Sequence, residues 1–166
     1  MIVIDASSFI TLTIADSLPA VLDEFDVHTT ETVIQELQET AEYDDVHGNA
    51  ARTVLERADR ITVHATPQRR FQSSRVDPGE GSCALLTHEL DTDFLITDDL
   101  RALPELQTIA DAKIAISPIL LKALVRREKL ERDEALEKLE QIAVQRDWLG
   151  APIYRRACHL FDEDNT

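Results

Sequence analysis

Apolar positions along this chain come as short unbroken runs alternating with stripes at helical spacing. Met1 to Ile4 is an apolar run that stops at Asp5, and it predicts a short strand buried on both faces. The small residues Ala6 to Ser8 then open a helix that runs to Ala15, and a second, from Leu18 to Phe25, begins beside Pro19, which suits a first helical turn. Asp26 to Thr29 reads as a strand. Thr30 caps a helix through Thr40 that turns Val33, Ile34 and Leu37 inward. Residues 43–48 form an acidic loop, Asn49 to Arg60 a helix facing in with Ala50, Val54 and Leu55, and Ile61 to His64 the third strand. An irregular stretch from Ala65 to Pro78 follows. Helix then returns over Gly79 to Leu90, strand over Asp93 to Thr97, helix over Asp98 to Leu106 and strand over Lys113 to Ile116. Three helices close the chain, Pro118 to Lys129, Asp133 to Arg146 and Pro152 to Phe161. Strands alternating with helices predict an α/β fold: a mostly parallel five-stranded sheet between layers of helices.

Certain acids fall at the ends of these elements. Asp5 ends the first strand and Glu36 lies in the helix after the second. Glu80 sits in the first turn of the helix before the fourth strand, and Asp98 and Asp99 end that strand in the run LITDD. A lone Asp in such a place is most often a helix cap, and a lone Glu in a chain with 30% charged residues is most often on the surface. In a doubly wound sheet, however, strands one and four are neighbours, so their carboxyl ends bring Asp5 beside Asp98 and Asp99. Carboxylates at about 4 Å repel by about 4 kcal/mol per pair at an effective dielectric of 20. A divalent cation relieves that repulsion, and oxygen-only ligands select a hard ion, Mg²⁺ or Mn²⁺. Such ions activate water and stabilise the leaving oxygen in phosphodiester hydrolysis.

The segments MIVIDASSF, TVIQEL, DPGEGSCALL and FLITDDLRA together resemble PIN-domain ribonucleases, of the type found in VapC toxins and archaeal single-domain proteins. The resemblance extends over roughly residues 1–125, with residues 126–166 as a helical extension packed on the same domain. It implies a three-layer α/β/α PIN-like fold and a metal cluster of Asp5, Glu36, Glu80 and Asp99, with Asp98 nearby. The threonine-x-acid spacing of Thr97 and Asp99 favours the second of the two aspartates. Ser7 and Thr97 are implied as hydroxyl groups that orient the acids. The implied activity is metal-dependent endoribonuclease action on RNA, as the toxin of a toxin–antitoxin pair or as a stand-alone nuclease, with Mg²⁺ or Mn²⁺ as cofactor. An antitoxin and a second copy of the chain, giving a homodimer, are the implied protein partners. The rival reading is a non-catalytic PIN-like module that binds nucleic acid or serves as a scaffold.

For RNA contact the candidates are Arg69, Arg70, Phe71 and Arg75, with Gln68, in the long irregular stretch, because cations flanking an aromatic hold phosphate and stack a base. Arg101 either touches phosphate or pairs with an acid of the cluster. No phosphate-cradling glycine loop is present, and no Gly-x-Ser-x-Gly elbow surrounds Ser82. The five histidines show no ligand spacing, and Cys83 and Cys158 show neither zinc nor disulfide spacing.

Composition complicates the picture at one point. The net charge of -15, with only four Lys among the 17 basic residues, repels nucleic acid at low salt. It also fits a salt-rich cytoplasm, where acids cover protein surfaces and a Debye length of about 3 Å in molar salt removes the long-range repulsion. No apolar run approaches the roughly 20 residues of a membrane span, and no basic region precedes the first apolar run, so the expected location is cytoplasmic. If the charge is an adaptation to salt, the protein melts at a higher temperature in molar KCl than in dilute buffer. Equal melting temperatures in thermal scans would contradict the adaptation.

Overall fold

The computed structural model describes residues 1–66 and 75–163. β1 (Ile2–Ile4) leads into α1 (Ala6–Ile14) and α2 (Leu18–Glu24). β2 (Val27–Thr30) is followed by α3 (Glu31–Thr40), α4 (Val46–Glu56), a single 3-10 turn (Ala58–Arg60) and β3 (Thr62–His64). Then come α5 (Pro78–Leu86), β4 (Phe94–Ile96), α6 (Leu103–Ile109) and β5 (Lys113–Ala115), and finally α7 (Pro118–Arg126), α8 (Arg132–Gln145) and α9 (Pro152–Asp162).

The strands form one sheet in the order β3-β2-β1-β4-β5, and every neighbouring pair is parallel. The sheet is thus wholly rather than mostly parallel, an α/β architecture of the PIN type. β1 lies at its centre, buried at all three residues, as an apolar run without alternation requires. The strand order reverses there. The chain steps outward through β2 and β3, then returns to lay β4 on the other side of β1, with Ile4 level with Ile96. The crevice beyond the carboxyl ends of β1 and β4 is therefore the topological switch point, where open α/β sheets place their ligands. Asp5 and the Thr97–Asp99 segment stand at it.

Two apolar clusters hold the fold. The larger joins β1, Phe9, Leu12, Leu37, Val54, Leu86, Ile96 and Leu106. The second gathers Leu121, Leu139, Ile142, Trp148, Ile153 and Phe161 from the last three helices onto Ala15 and Ile116. Full burial of one such side chain contributes roughly 1.5–3 kcal/mol, so α7–α9 are anchored to the sheet domain rather than loosely attached. Trp148 and Tyr154 both pack in this second cluster.

The element boundaries differ from the sequence reading where polar side chains override the apolar pattern. α4 starts at Val46, within the stretch read as an acidic loop, because the Asp45 carboxylate caps it by accepting from the Gly48 N–H at 2.7 Å. The helix expected from Asp98 begins only at Leu103. The residues between lie in turns, and the Asp99 carboxylate accepts from the Arg101 N–H at 3.0 Å, a local bond that competes with helix. His28, on β2, bonds through its two ring nitrogens to His64 and Asp26, each at 2.8 Å, a pairing between residues 36 apart that spacing alone does not reveal. Cys83 and Cys158 are free thiols. Among the described residues no helix is long and apolar enough to cross a membrane.

Candidate active site

Asp5 is buried, at 2% exposure. One of its oxygens, Oδ1, accepts from the Ser7 hydroxyl at 2.9 Å and the Ser8 N–H at 3.0 Å, the second bond capping α1. Oδ2 accepts from the Thr97 hydroxyl at 2.6 Å. Asp5 thus both caps α1 and stands at the crevice, with the Ser7 and Thr97 hydroxyls bonded to its carboxylate. The Thr97 oxygen in turn accepts from the Asp99 N–H at 3.4 Å, which links the ends of β1 and β4.

The two glutamates reach this end of the sheet from α3 and α5. Glu36 is half-buried, and its Oε1 accepts from the Gly79 N–H at 2.9 Å. A Cβ at position 79 would lie 2.2 Å from Glu36 Oε2, so a larger residue there would push the Glu36 carboxylate aside. Glu80, 4% exposed, closes a capping box with Asp77: the Asp77 carboxylate accepts from the Glu80 N–H at 2.8 Å, and Glu80 Oε2 accepts from the Asp77 N–H at 3.2 Å. Asp77 is an acid of this neighbourhood that the sequence reading did not single out. Its signal was present in the Asp-Pro-Gly-Glu string, which has the spacing of a capping box.

The two aspartates after β4 part company. Asp98 turns to Ser117, accepting from its N–H at 2.7 Å and its hydroxyl at 2.8 Å. Asp99 accepts from the Arg101 backbone, and the Arg101 guanidinium stands 3.4 Å from the same oxygen. With the Arg101 side chain 89% exposed, this ion pair is worth little in stability. Arg75 is exposed two residues before Asp77. Gln68, Arg69, Arg70 and Phe71 lie outside the described residues.

A family model described as a PIN domain matches residues 1–163, which takes in the C-terminal helices as well as the sheet. This chain is a PIN-domain protein. No curated protein and no solved structure is similar enough to match it. PIN domains are generally nucleases and typically bind divalent metals, so this one has a nuclease-type fold.

The electrostatics of this PIN domain fit an acidic cation site. Burial raises the Asp5 carboxyl to about 6, with Asp98 adding to the effect and the three donors opposing it. Glu36 is raised to about 7, first by burial, then by the charges of Asp77 and Asp5. Glu80 is raised furthest, to about 9, by burial and by Asp77, Asp5 and Asp99. Burial is the first cause for all three, and the charges of Asp77 and Asp5 add to the rise at both glutamates. Among the described residues, however, no three potential ligands stand close enough together to hold a single ion. The donor set, carboxylates with hydroxyl neighbours and no His or Cys, suits a hard dication in its chemistry. Glu80 is bonded to the Asp77 N–H and Glu36 to the Gly79 N–H, each through one of its two oxygens.

All three carboxyls hold their protons to higher pH in the folded chain than in the unfolded one. The folded state therefore binds extra protons between about pH 4.5 and 9, and stability falls as pH rises through that window. Without divalent metal, Glu80→Gln is expected to flatten this fall and to melt above the parent protein at pH 9. Parallel pH profiles for the two proteins in thermal melts would contradict the assignment.

Proposed function

We propose that this PIN-domain protein is a Mg²⁺- or Mn²⁺-dependent endoribonuclease in which Asp5, Glu36, Glu80 and Asp99 hold the metal. The observation that carries the reading is the buried Asp5 carboxylate, fixed by three donors at the switch point, whose charge adds to the burial that raises the proton affinities of Glu36 and Glu80. A hard dication bound there activates water and stabilises the leaving oxygen of a phosphodiester. The protein's own share is positional. Thr97 and Ser7 fix the angle of Asp5, Gly79 admits Glu36, and Asp77 holds Glu80 at the start of α5. Arg101, exposed beside Asp99, is free to swing to a substrate phosphate, because its present ion pair is weak. Arg75, Arg69, Arg70 and Phe71 belong to this reading on sequence grounds alone. The same reading takes RNA as substrate and an antitoxin or a second copy of the chain as protein partner.

One observation favours the rival, a PIN-like module that binds nucleic acid without cutting it: among the described residues no three ligands are gathered for one ion. Cleavage of single-stranded RNA by the parent protein and by Asp5→Asn, with and without EDTA, separates the two readings. The parent is expected to cleave with Mg²⁺ or Mn²⁺ and to stop in EDTA, and Asp5→Asn to lose on the order of a hundredfold in rate or more. Equal rates for the two proteins, or cleavage that survives EDTA, would overturn the assignment. Metal binding without cleavage of RNA would favour the binding module.

A further inference from the structure

The pair Asp98 and Asp99 presents two carboxylates to one crevice, and their surroundings give them different work. Both oxygens of Asp98 are engaged by a single residue, Ser117, through its backbone N–H at 2.7 Å and its hydroxyl at 2.8 Å. Ser117 is the residue at which α7 begins, ahead of Pro118, and its own side chain makes no capping bond to that helix. An acid from the end of β4 therefore stands at the N-terminus of a nine-residue helix that packs into both apolar clusters, Leu120 and Leu124 in the first and Leu121 in the second. The helix dipole and the free N–H groups of the first turn favour an anion there. Arg146, at the end of α8, adds a positive charge on the same acid, and Thr11 of α1 adds a hydroxyl.

A second set of bonds continues toward the crevice. The Asp98 N–H reaches the Ser7 hydroxyl oxygen at 3.4 Å, and that hydroxyl donates to Asp5 Oδ1 at 2.9 Å. The links run without a break from α7 through Ser117, Asp98 and Ser7 to Asp5. Asp99 has no such commitment to another element, since its bonds are to Thr97 and Arg101 within the same turn. The geometry points to Asp98 as a positioning residue, one that ties the start of α7 to the Asp5 carboxylate and does not itself hold the metal. This rests on the metal-dependent reading above. It makes the C-terminal helices part of the catalytic unit, because the angle of Asp5 depends on where α7 begins.

Asparagine at position 98 keeps an acceptor for the Ser117 N–H and offers a donor to its hydroxyl, whereas alanine keeps neither. The test is a set of full-length variants read by thermal melting and by calorimetric titration with Mn²⁺. Asp98→Ala is expected to lower the melting temperature by roughly 5 °C and to weaken Mn²⁺ binding by about tenfold through Ser7 and Asp5. Asp98→Asn is expected to recover most of both losses. Asp99→Asn should weaken Mn²⁺ binding by at least as much as Asp98→Ala while barely changing the melting temperature. Combining Asp98→Ala with Ser117→Ala should lower the melting temperature no further than Asp98→Ala alone, because the two remove the same contact. Weak Mn²⁺ binding by Asp98→Asn, equal to that of Asp98→Ala, would make Asp98 a ligand and overturn the proposal, as would additive losses in the double variant. If Asp98→Ala does not fold, Asp98→Asn and Ser117→Ala still decide between ligand and positioning residue. If the parent protein binds no Mn²⁺, the metal-dependent reading fails, and additivity in the melting series separately decides the contact between Asp98 and Ser117.

Discussion

Carboxylates brought together at the end of a buried sheet repel one another, and this PIN domain is arranged around that repulsion. Asp5 sits almost out of reach of water with other acids in its field, and only three hydrogen bonds, from Ser7, Ser8 and Thr97, offset the loss of solvation. Burying a charged group without such partners is strongly unfavourable, so the hydroxyls beside Asp5 are as necessary to the site as the acid. Glu36 and Glu80 meet the same difficulty with backbone amides, those of Gly79 and Asp77.

The rest of the chain follows from this arrangement. The reversal of strand order at β1 brings the ends of β1 and β4 together although they are separated by some ninety residues of sequence. Position 79, without a side chain, leaves room for the Glu36 carboxylate at the start of α5. The last three helices rest on their own apolar cluster, yet they meet the crevice through Ser117. Their inclusion in the family match over residues 1–163 agrees with this continuity.

Much of the scaffold was legible in the sequence, for a physical reason: burial writes a period into the chain. The Met1–Ile4 run identified the central strand, the Val33 and Leu37 stripe identified α3, and Thr30 was recognised as its cap. The placing of Asp5 after the first strand, Glu36 within α3, Glu80 in the first turn of α5 and Asp99 after β4 followed from the same reading. What stayed hidden depends on polar contacts that carry no period. Asp45 drew α4 back into a stretch that looked like loop, and the bond from the Asp99 carboxylate to the Arg101 N–H delayed α6 to Leu103. The different partners of Asp98 and Asp99 were invisible too, because Ser117 lies 19 residues beyond Asp98. The sequence also suggested acids already converged on one ion, whereas each is at present held by its own donor.

The most direct measurement is anomalous diffraction from crystals of the protein grown with Mn²⁺. The account predicts a manganese peak in the crevice beyond β1 and β4, within coordination distance of Asp5 and at least two of Glu36, Glu80 and Asp99, with Asp98 still bonded to Ser117. Crystals that hold Mn²⁺ elsewhere, or that leave Asp5, Glu36 and Glu80 on their hydroxyl and amide donors with no ion between them, would contradict it.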